Sequence, residues 1–225
     1  MEQKDGTHNS PSQILKNFWN YDSFRPLQED IIKNSLAGND TLALLPTGGG
    51  KSICFQVPGL ILPGITIVIS PLIALMKDQV EQLKKRGINA AAIISGMHKH
   101  EIDIALDNCI YGHTKFLYVS PERLKSELFI QRLTKMQVAM VVIDEAHCIS
   151  QWGYDFRPAY LEISEIRQYV KEEIPFMALT ATATPEIQKD IVGKLQLRNA
   201  KVFKKSFARP NLSYSCVNTE NNISS

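Results

Sequence analysis

The sequence has few cysteines, no long apolar run and little excess charge, and each shortage excludes a class of protein. The four cysteines among 225 residues form no CxxC pair, so neither a zinc site nor a disulfide framework is predicted. They are Cys54, Cys109, Cys148 and Cys216. The most apolar stretch, residues 59–69, is interrupted by Pro63 and Gly64, and the polar start has no signal core. We therefore expect no export signal and no membrane span.

The net charge is only +2 and the isoelectric point about 8.3, far from the strong excess of a protein held to nucleic acid by charge alone. Composition neither proves nor excludes a nucleic-acid partner. Unpaired cysteines suit a reducing compartment. We predict a cytoplasmic location, at the nucleoid in a bacterium or in the nucleus of a eukaryote.

The organisation of the chain follows from its polar and apolar stretches. Hydrophobic residues make up 44% of it, enough for one large core. Residues 1–12 are polar and without periodicity, which predicts a disordered tail. Residues 13–207 are predicted to form one domain. Residues 208–225 include a new alternating run, 212–217, that begins an element the chain does not finish.

Six short apolar, β-branched runs have the length and composition of strands buried on both faces. They cover residues 41–45, 65–70, 90–94, 115–120, 139–144 and 176–181. Helical patterns lie between them, notably at 72–86 and 186–195, each with proline near its start. Strands that alternate with helices predict a doubly wound α/β domain, with a mainly parallel sheet and helices on both faces.

The first strand leads into a glycine-rich loop, Pro46, Thr47, Gly48, Gly49, Gly50, Lys51 and Ser52, before an apolar helix from about Ile53. Such a loop wraps a phosphate with backbone N–H groups, and the helix points its positive end at the same anion. Lys51 would reach the β- and γ-phosphates of ATP, and Ser52 would bind Mg²⁺. Leu45 replaces the first glycine of the strict pattern. The alternative is an ordinary glycine-rich turn.

The fifth strand delivers Asp144, Glu145, Ala146 and His147 at its carboxyl end, where open α/β sheets bind ligands. Asp144 could hold Mg²⁺ through water. Glu145 could orient and deprotonate the attacking water. The alternative is an acidic loop after a strand, with His147 an ordinary packed or solvated histidine.

The phosphate loop, the acidic tetrad and the segment Thr180-Ala181-Thr182-Ala183-Thr184 resemble the ordered motifs of superfamily 2 helicases, and finer features resemble the RecQ family. The resemblance implies a RecA-like first motor domain of a 3′-to-5′ DNA helicase, which couples ATP hydrolysis to unwinding in DNA repair and recombination. It implies ATP and Mg²⁺ as cofactors and single-stranded or forked DNA as partner. It also assigns His147, Thr180 and Thr182 to coupling between the two.

Residues 18–28 resemble the segment with which RecQ enzymes recognise adenine. By that resemblance Tyr21 stacks on the base, while Arg25 and Gln28 contact the nucleotide. An aromatic face suits a base, and a Gln amide can both donate and accept on the adenine edge. An amphipathic helix opened by Pro26 is the structural interpretation of the same stretch, and the two are compatible.

Residues 150–158 resemble the aromatic-rich loop of RecQ enzymes, with Tyr154 where the family more often has His. Exposed aromatic side chains beside a cation can stack on unpaired bases and contact phosphate. Trp152, Phe156 and Arg157 are therefore predicted to sense single-stranded DNA and relay this to ATP hydrolysis. The alternative is a packed aromatic cluster.

Two serines followed by proline, Ser70 and Ser120, match segments that touch the DNA backbone in the family, and ordinary helix capping is the alternative. Residues 207–212 resemble the crossing into a second motor domain, which would supply an arginine to the γ-phosphate. We expect the chain alone to be nearly inactive. A DEAH-type RNA helicase and a nucleotide-binding module without turnover are the other functions considered.

Overall fold

The computed structural model describes residues 10–153 and 155–205. Its strands are β1 (Thr41–Leu44), β2 (Ile65–Ile69), β3 (Ala90–Ile93), β4 (Phe116–Val119), β5 (Val138–Ile143), β6 (Phe176–Thr180) and β7 (Lys201–Lys204). Its α-helices are α1 (Pro11–Trp19), α2 (Gln28–Leu36), α3 (Lys51–Ile61), α4 (Ile73–Lys85), α5 (Lys99–Tyr111), α6 (Glu127–Leu133) and α7 (Pro185–Lys194). Short 3₁₀ segments cover Pro121–Lys125, Ala146–Ile149 and Pro158–Tyr169.

The seven strands form one sheet in the order β3-β4-β2-β5-β6-β1-β7, and every pairing is parallel. All six predicted strands are present, and the doubly wound α/β prediction is confirmed. The seventh strand, β7, was not predicted. It lies at the edge of the sheet and buries only Phe203, so its sequence lacks the continuous apolar run of a central strand.

Alternate side chains along each strand point to opposite faces of the sheet and pack into two separate cores. In β2, Ile67 and Ile69 belong to the core that packs against α5, α6 and α7, whereas Val68 belongs to the core beneath α3 and α4. Helix α1 packs outside α2 and α3 in a third cluster. Helices therefore cover both faces, and nucleotide-facing side chains share a face with Val68.

The amino-terminal boundary differs from the prediction. Helix α1 begins at Pro11, and Ser10 and Gln13 form a reciprocal capping box in which Ser10 N donates to Gln13 Oε1 at 2.8 Å. Residues 10–12 of the predicted tail are thus part of the helix start. Residues 1–9, and the predicted crossing segment 208–225, lie outside the described residues. Among the described residues, no helix is both long and apolar enough to cross a membrane.

Candidate functional site

Parallel strands bring the predicted functional residues to one edge, because all their carboxyl ends point the same way. In sheet order this edge carries Ser120 after β4, Ser70 after β2, Asp144 after β5, Thr180 at the end of β6 and the phosphate loop after β1. Residues far apart in sequence thus meet at a single site.

Two side chains of the 18–28 segment hydrogen-bond to the phosphate loop. Gln28 is 3% exposed, its Nε2 donates to the Gly50 carbonyl at 2.9 Å, and its Oε1 accepts from Arg25 N at 2.9 Å. The Arg25 guanidinium donates to the Gly48 carbonyl. Gly50 has φ 77°, and a Cβ there would lie 2.4 Å from Gln28 Nε2, so only glycine fits. Both ends of the Gln28 amide are engaged within the protein, and its contact with adenine stays a prediction.

Two adjoining clefts lie beside the loop. The first, of about 360 Å³, is lined by residues of the phosphate loop, α3, α4 and the acidic pair, among them Thr47, Gly48, Lys51, Ser52, Ser70, Asp144 and Glu145. The second, of about 430 Å³, has Tyr21 on its wall, with half of the side chain exposed. Arg25, Gly50, Ser52 and Gln79 line both. The two clefts therefore adjoin, one beside the phosphate loop and the other beside an aromatic side chain.

The two carboxyl groups of the tetrad have opposite environments. Burial raises the pKa of Asp144 to about 6, with a further contribution from the charge of Glu145. Hydrogen bonding to His147 lowers the pKa of Glu145 despite its partial burial. Lys51 Nζ lies 3.9 Å from Glu145 Oε1. Glu145 is thus an ionised carboxylate beside a lysine, and Asp144 is a buried carboxyl that a cation would stabilise in its charged form.

The chemistry of these donors fits Mg²⁺, which prefers oxygen ligands and retains several waters. Ser52 and Asp144 line the same cleft. Asp144 Oδ1 accepts from Glu145 N at 3.0 Å, and the Tyr160 hydroxyl donates to the Asp144 carbonyl at 2.8 Å. Tyr160 is fully buried and was not predicted, because no motif places it near the tetrad.

His147 connects the tetrad to the next strand. Its Nδ1 lies 2.9 Å from Thr180 Oγ1 and 3.3 Å from Glu145 Oε2. Thr180 Oγ1 donates to the Thr182 carbonyl at 3.1 Å. The three predicted coupling residues, His147, Thr180 and Thr182, therefore form one series of polar contacts that starts at Glu145.

The side chains of the aromatic-rich loop are not all packed into a cluster. Trp152 is 79% exposed, whereas Phe156 and Arg157 are partly buried. Arg157 Nη1 donates to the Pro71 carbonyl at 3.2 Å, which ties the loop to the turn before α4. The packed alternative is wrong for Trp152. Tyr154 lies outside the described residues.

The surroundings of Ser70 and Ser120 test the capping alternative. Helix α4 and the 3₁₀ segment at Pro121 have no side-chain cap, so the capping alternative is wrong for both hydroxyls. The two serines are 2% and 4% exposed, and their Oγ atoms lack a hydrogen-bond partner among the described residues. Contact of Ser70 and Ser120 with a DNA backbone stays a prediction.

The sheet order, the phosphate loop and the acidic pair define the class of phosphate-loop α/β domains. Within that class, residues 25–191 match the family described as DEAD/DEAH box helicase, and the chain belongs to this family.

The resemblance to RecQ helicases is confirmed by curated relatives. The probable ATP-dependent DNA helicase RecS of Bacillus subtilis is 45% identical over 201 residues, covering 89% of this chain and 40% of the relative. The ATP-dependent DNA helicase RecQ of the same organism is 46% identical over 209 residues, with coverages of 92% and 35%. The chain thus spans two fifths or less of the length of these two relatives.

The fold matches solved helicase structures. The helicase domain of Pyrococcus furiosus Hef superposes with a TM-score of 0.62 at 20% identity, covering 83% of this chain and 38% of that one. This likeness confirms the RecA-like fold.

Proposed function

We propose that the chain is the ATP-binding, DNA-contacting first motor domain of a RecQ-like 3′-to-5′ DNA helicase that couples ATP hydrolysis to unwinding in DNA repair and recombination. The observation that carries this is the convergence of Lys51, Ser52, Asp144 and Glu145 on one cleft at the carboxyl edge of the sheet. The relatives named above are called DNA helicases, which favours DNA over RNA. A DNA substrate places the protein at the nucleoid or in the nucleus.

The nucleotide would extend across both clefts. Tyr21 would stack on the adenine, while Lys51 and the loop N–H groups hold the phosphates. Ser52, and Asp144 through water, would hold Mg²⁺, which neutralises charge on the phosphates when bound. Glu145 is suited to accept a proton from the attacking water, since its lowered pKa keeps it ionised.

DNA would be sensed at the neighbouring loop. Trp152 offers an exposed ring for stacking on an unpaired base, and Phe156 and Arg157 complete the contact. Movement there would reach the nucleotide through Arg157 at Pro71 and through His147 and Thr180.

Turnover should require the remainder of the parent protein. Among the described residues, Arg25 is the one arginine that lines the phosphate cleft, and it is bonded to the Gly48 carbonyl. An arginine directed at the γ-phosphate is worth roughly 10³ to 10⁵ in rate. We propose that a second motor domain of the same parent chain supplies it, and that this chain alone hydrolyses ATP poorly and does not separate strands.

Paired variants test the assignment. Lys51→Ala should weaken binding of ATP strongly, while Lys85→Ala, at an exposed site on α4, should not change it. Glu145→Gln in the full-length parent should retain ATP binding but lose roughly 10²- to 10⁴-fold in turnover, because the amide cannot accept a proton. Nucleotide titration and steady-state ATPase assays measure these effects. Equal ATP affinity for Lys51→Ala and the parent would contradict the phosphate-loop assignment.

A further inference from the structure

The Ser70 hydroxyl has no role in the fold that the described residues explain. It is 2% exposed, and its Oγ has no hydrogen-bond partner among them. Buried polar atoms are normally paired, and an unpaired one in a native structure points to an absent ligand or water. The backbone of Ser70 is engaged, since its N–H donates to the Val119 carbonyl at 3.1 Å. The hydroxyl, unlike the backbone N–H, lacks a partner among the described residues.

Strand register places this hydroxyl beside Asp144. Val68 pairs with Val142 and Ile69 with Ile143, and the ladder continues because Asp144 N donates to the Ile69 carbonyl at 2.8 Å. Ser70 and Asp144 are therefore the next neighbours, about 4.8 Å apart across adjacent strands. Their side chains project from the same face, the one that carries Val68.

That face borders the phosphate cleft. Ser70 and Asp144 both line it, together with Ser52 from the start of α3. Ser120 continues the same row one strand further away and does not line the cleft. Of these two serines with unpaired hydroxyls, the one that lines the cleft is thus the neighbour of the acidic residue.

We infer that Ser70 is a positioning residue for the divalent cation, its hydroxyl hydrogen-bonding a water of the hydration shell between Ser52 and Asp144. The inference rests on the proposed function, since it requires a cation with bound nucleotide at this cleft. A serine hydroxyl can accept from such a water and donate to a carboxylate. Groups in this outer position orient the direct ligands of a metal, and their loss typically lowers metal affinity 10- to 100-fold.

The test is a MgCl₂ titration of the binding of a fluorescent ADP analogue. Ser70→Ala should raise the free Mg²⁺ concentration for half-maximal binding about tenfold. Affinity for the analogue in EDTA should be unchanged. Ser70→Thr keeps the hydroxyl and should restore the dependence on Mg²⁺.

Thr66→Val is the matched control. Thr66 lies on the same strand and face, is fully buried, and its hydroxyl likewise has no partner among the described residues, but it does not line the cleft. Removing an unpaired buried hydroxyl also removes the cost of its desolvation, so neither variant should melt below the parent. Thr66→Val should also keep the parent dependence on Mg²⁺.

Several outcomes would overturn the inference. One is the same Mg²⁺ dependence for Ser70→Ala and the parent, and another is an equal shift for Thr66→Val. Weaker DNA binding by Ser70→Ala with unchanged Mg²⁺ dependence would overturn it in favour of a DNA-backbone contact. Failure of the proposed function is distinguishable, because Lys51→Ala would then bind the analogue as the parent does.

Discussion

The two ends of the sheet carry buried polar groups of opposite kinds. At the amino edge, Asp40 precedes β1 and is 4% exposed, yet it accepts from the Arg167 guanidinium, from Phe176 N at 2.8 Å and from Arg198 N at 2.6 Å. The Arg167 guanidinium also lies 3.8 Å over the Phe176 ring. This network joins the start of β1 to β6 and to the segment before β7.

At the carboxyl edge, Ser70 and Ser120 are as deeply buried as Asp40. The hydroxyls of Ser70 and Ser120 lack partners among the described residues, and burial raises the pKa of Asp144 to about 6. The difference indicates a division of roles. The Asp40 network joins neighbouring strands, whereas the unpaired Ser70 hydroxyl lies in a residue that lines the phosphate cleft and lowers the stability of the ligand-free protein.

The largest effect on stability is expected at the amino edge. Asp40→Ala leaves the Arg167 charge and two backbone N–H groups without their acceptor, and breaking such a buried pair costs about 3 to 5 kcal/mol. The melting temperature should fall by roughly 10 °C. Thermal denaturation measures this, with Asp22→Ala as control for an exposed ion pair. Equal melting temperatures for the two variants would contradict the structural role of the network.

At the carboxyl edge, a substitution is expected to change the free energy of unfolding by a smaller amount and with the opposite sign. The pKa of Asp144 rises from 3.8 to about 6 on folding, so the folded state holds this proton more tightly than the unfolded state. Its ionisation above pH 6 then opposes folding by about 3 kcal/mol at most, taking 1.4 kcal/mol per pKa unit. Asp144→Asn should therefore be more stable than the parent in EDTA at pH 7.5.

The pH dependence of the difference in stability distinguishes loss of the carboxylate charge from an improvement in packing. The advantage of Asp144→Asn should shrink as the pH falls from 6 towards 3.8 and disappear only below 3.8, where the parent carboxyl becomes protonated in both states. Denaturant unfolding at several pH values measures the difference. A constant advantage across this range would contradict the assignment, and so would a less stable variant at pH 7.5.

The contrast between buried central strands and an exposed edge strand explains which parts of the fold were predictable. Central strands such as β5 are buried on both faces and appear as continuous apolar runs. Strand β7 exposes three of its four side chains, two of them lysines, so its pairing with β1 depends on a tertiary contact that sequence periodicity does not show. Helices α5 and α6 likewise depend on contacts with the sheet and with each other.

For the candidate site, the motifs predicted which residues gather but not how each side chain is used. Lys51, Ser52 and the acidic pair line one cleft because their strands are parallel neighbours. The engagement of Gln28 with Gly50 and the burial of Ser70 depend on register and packing. Tyr160 depends on the path of a 3₁₀ segment, for which no local pattern exists.

The smallest effect on stability is expected at the aromatic-rich loop, where the Trp152 side chain is exposed to solvent. Trp152 is 79% exposed, so Trp152→Ala should change the free energy of unfolding by less than about 0.5 kcal/mol. Stacking of an aromatic ring on one base is worth about 1 to 3 kcal/mol. The variant should therefore bind single-stranded DNA roughly 5- to 100-fold more weakly while melting like the parent.

Tyr111 is the matched control, because it is 77% exposed at the end of α5 and lines neither of the two clefts. Tyr111→Ala should leave both melting temperature and DNA affinity unchanged. In the full-length parent, Trp152→Ala should lower the DNA-stimulated ATPase rate and spare the rate without DNA, since the loop is separate from the residues that hold phosphate. A large fall in melting temperature with equal loss of both rates would show that Trp152 serves the fold. The aromatic-rich loop would then belong with the amino edge, among the groups that hold the domain together.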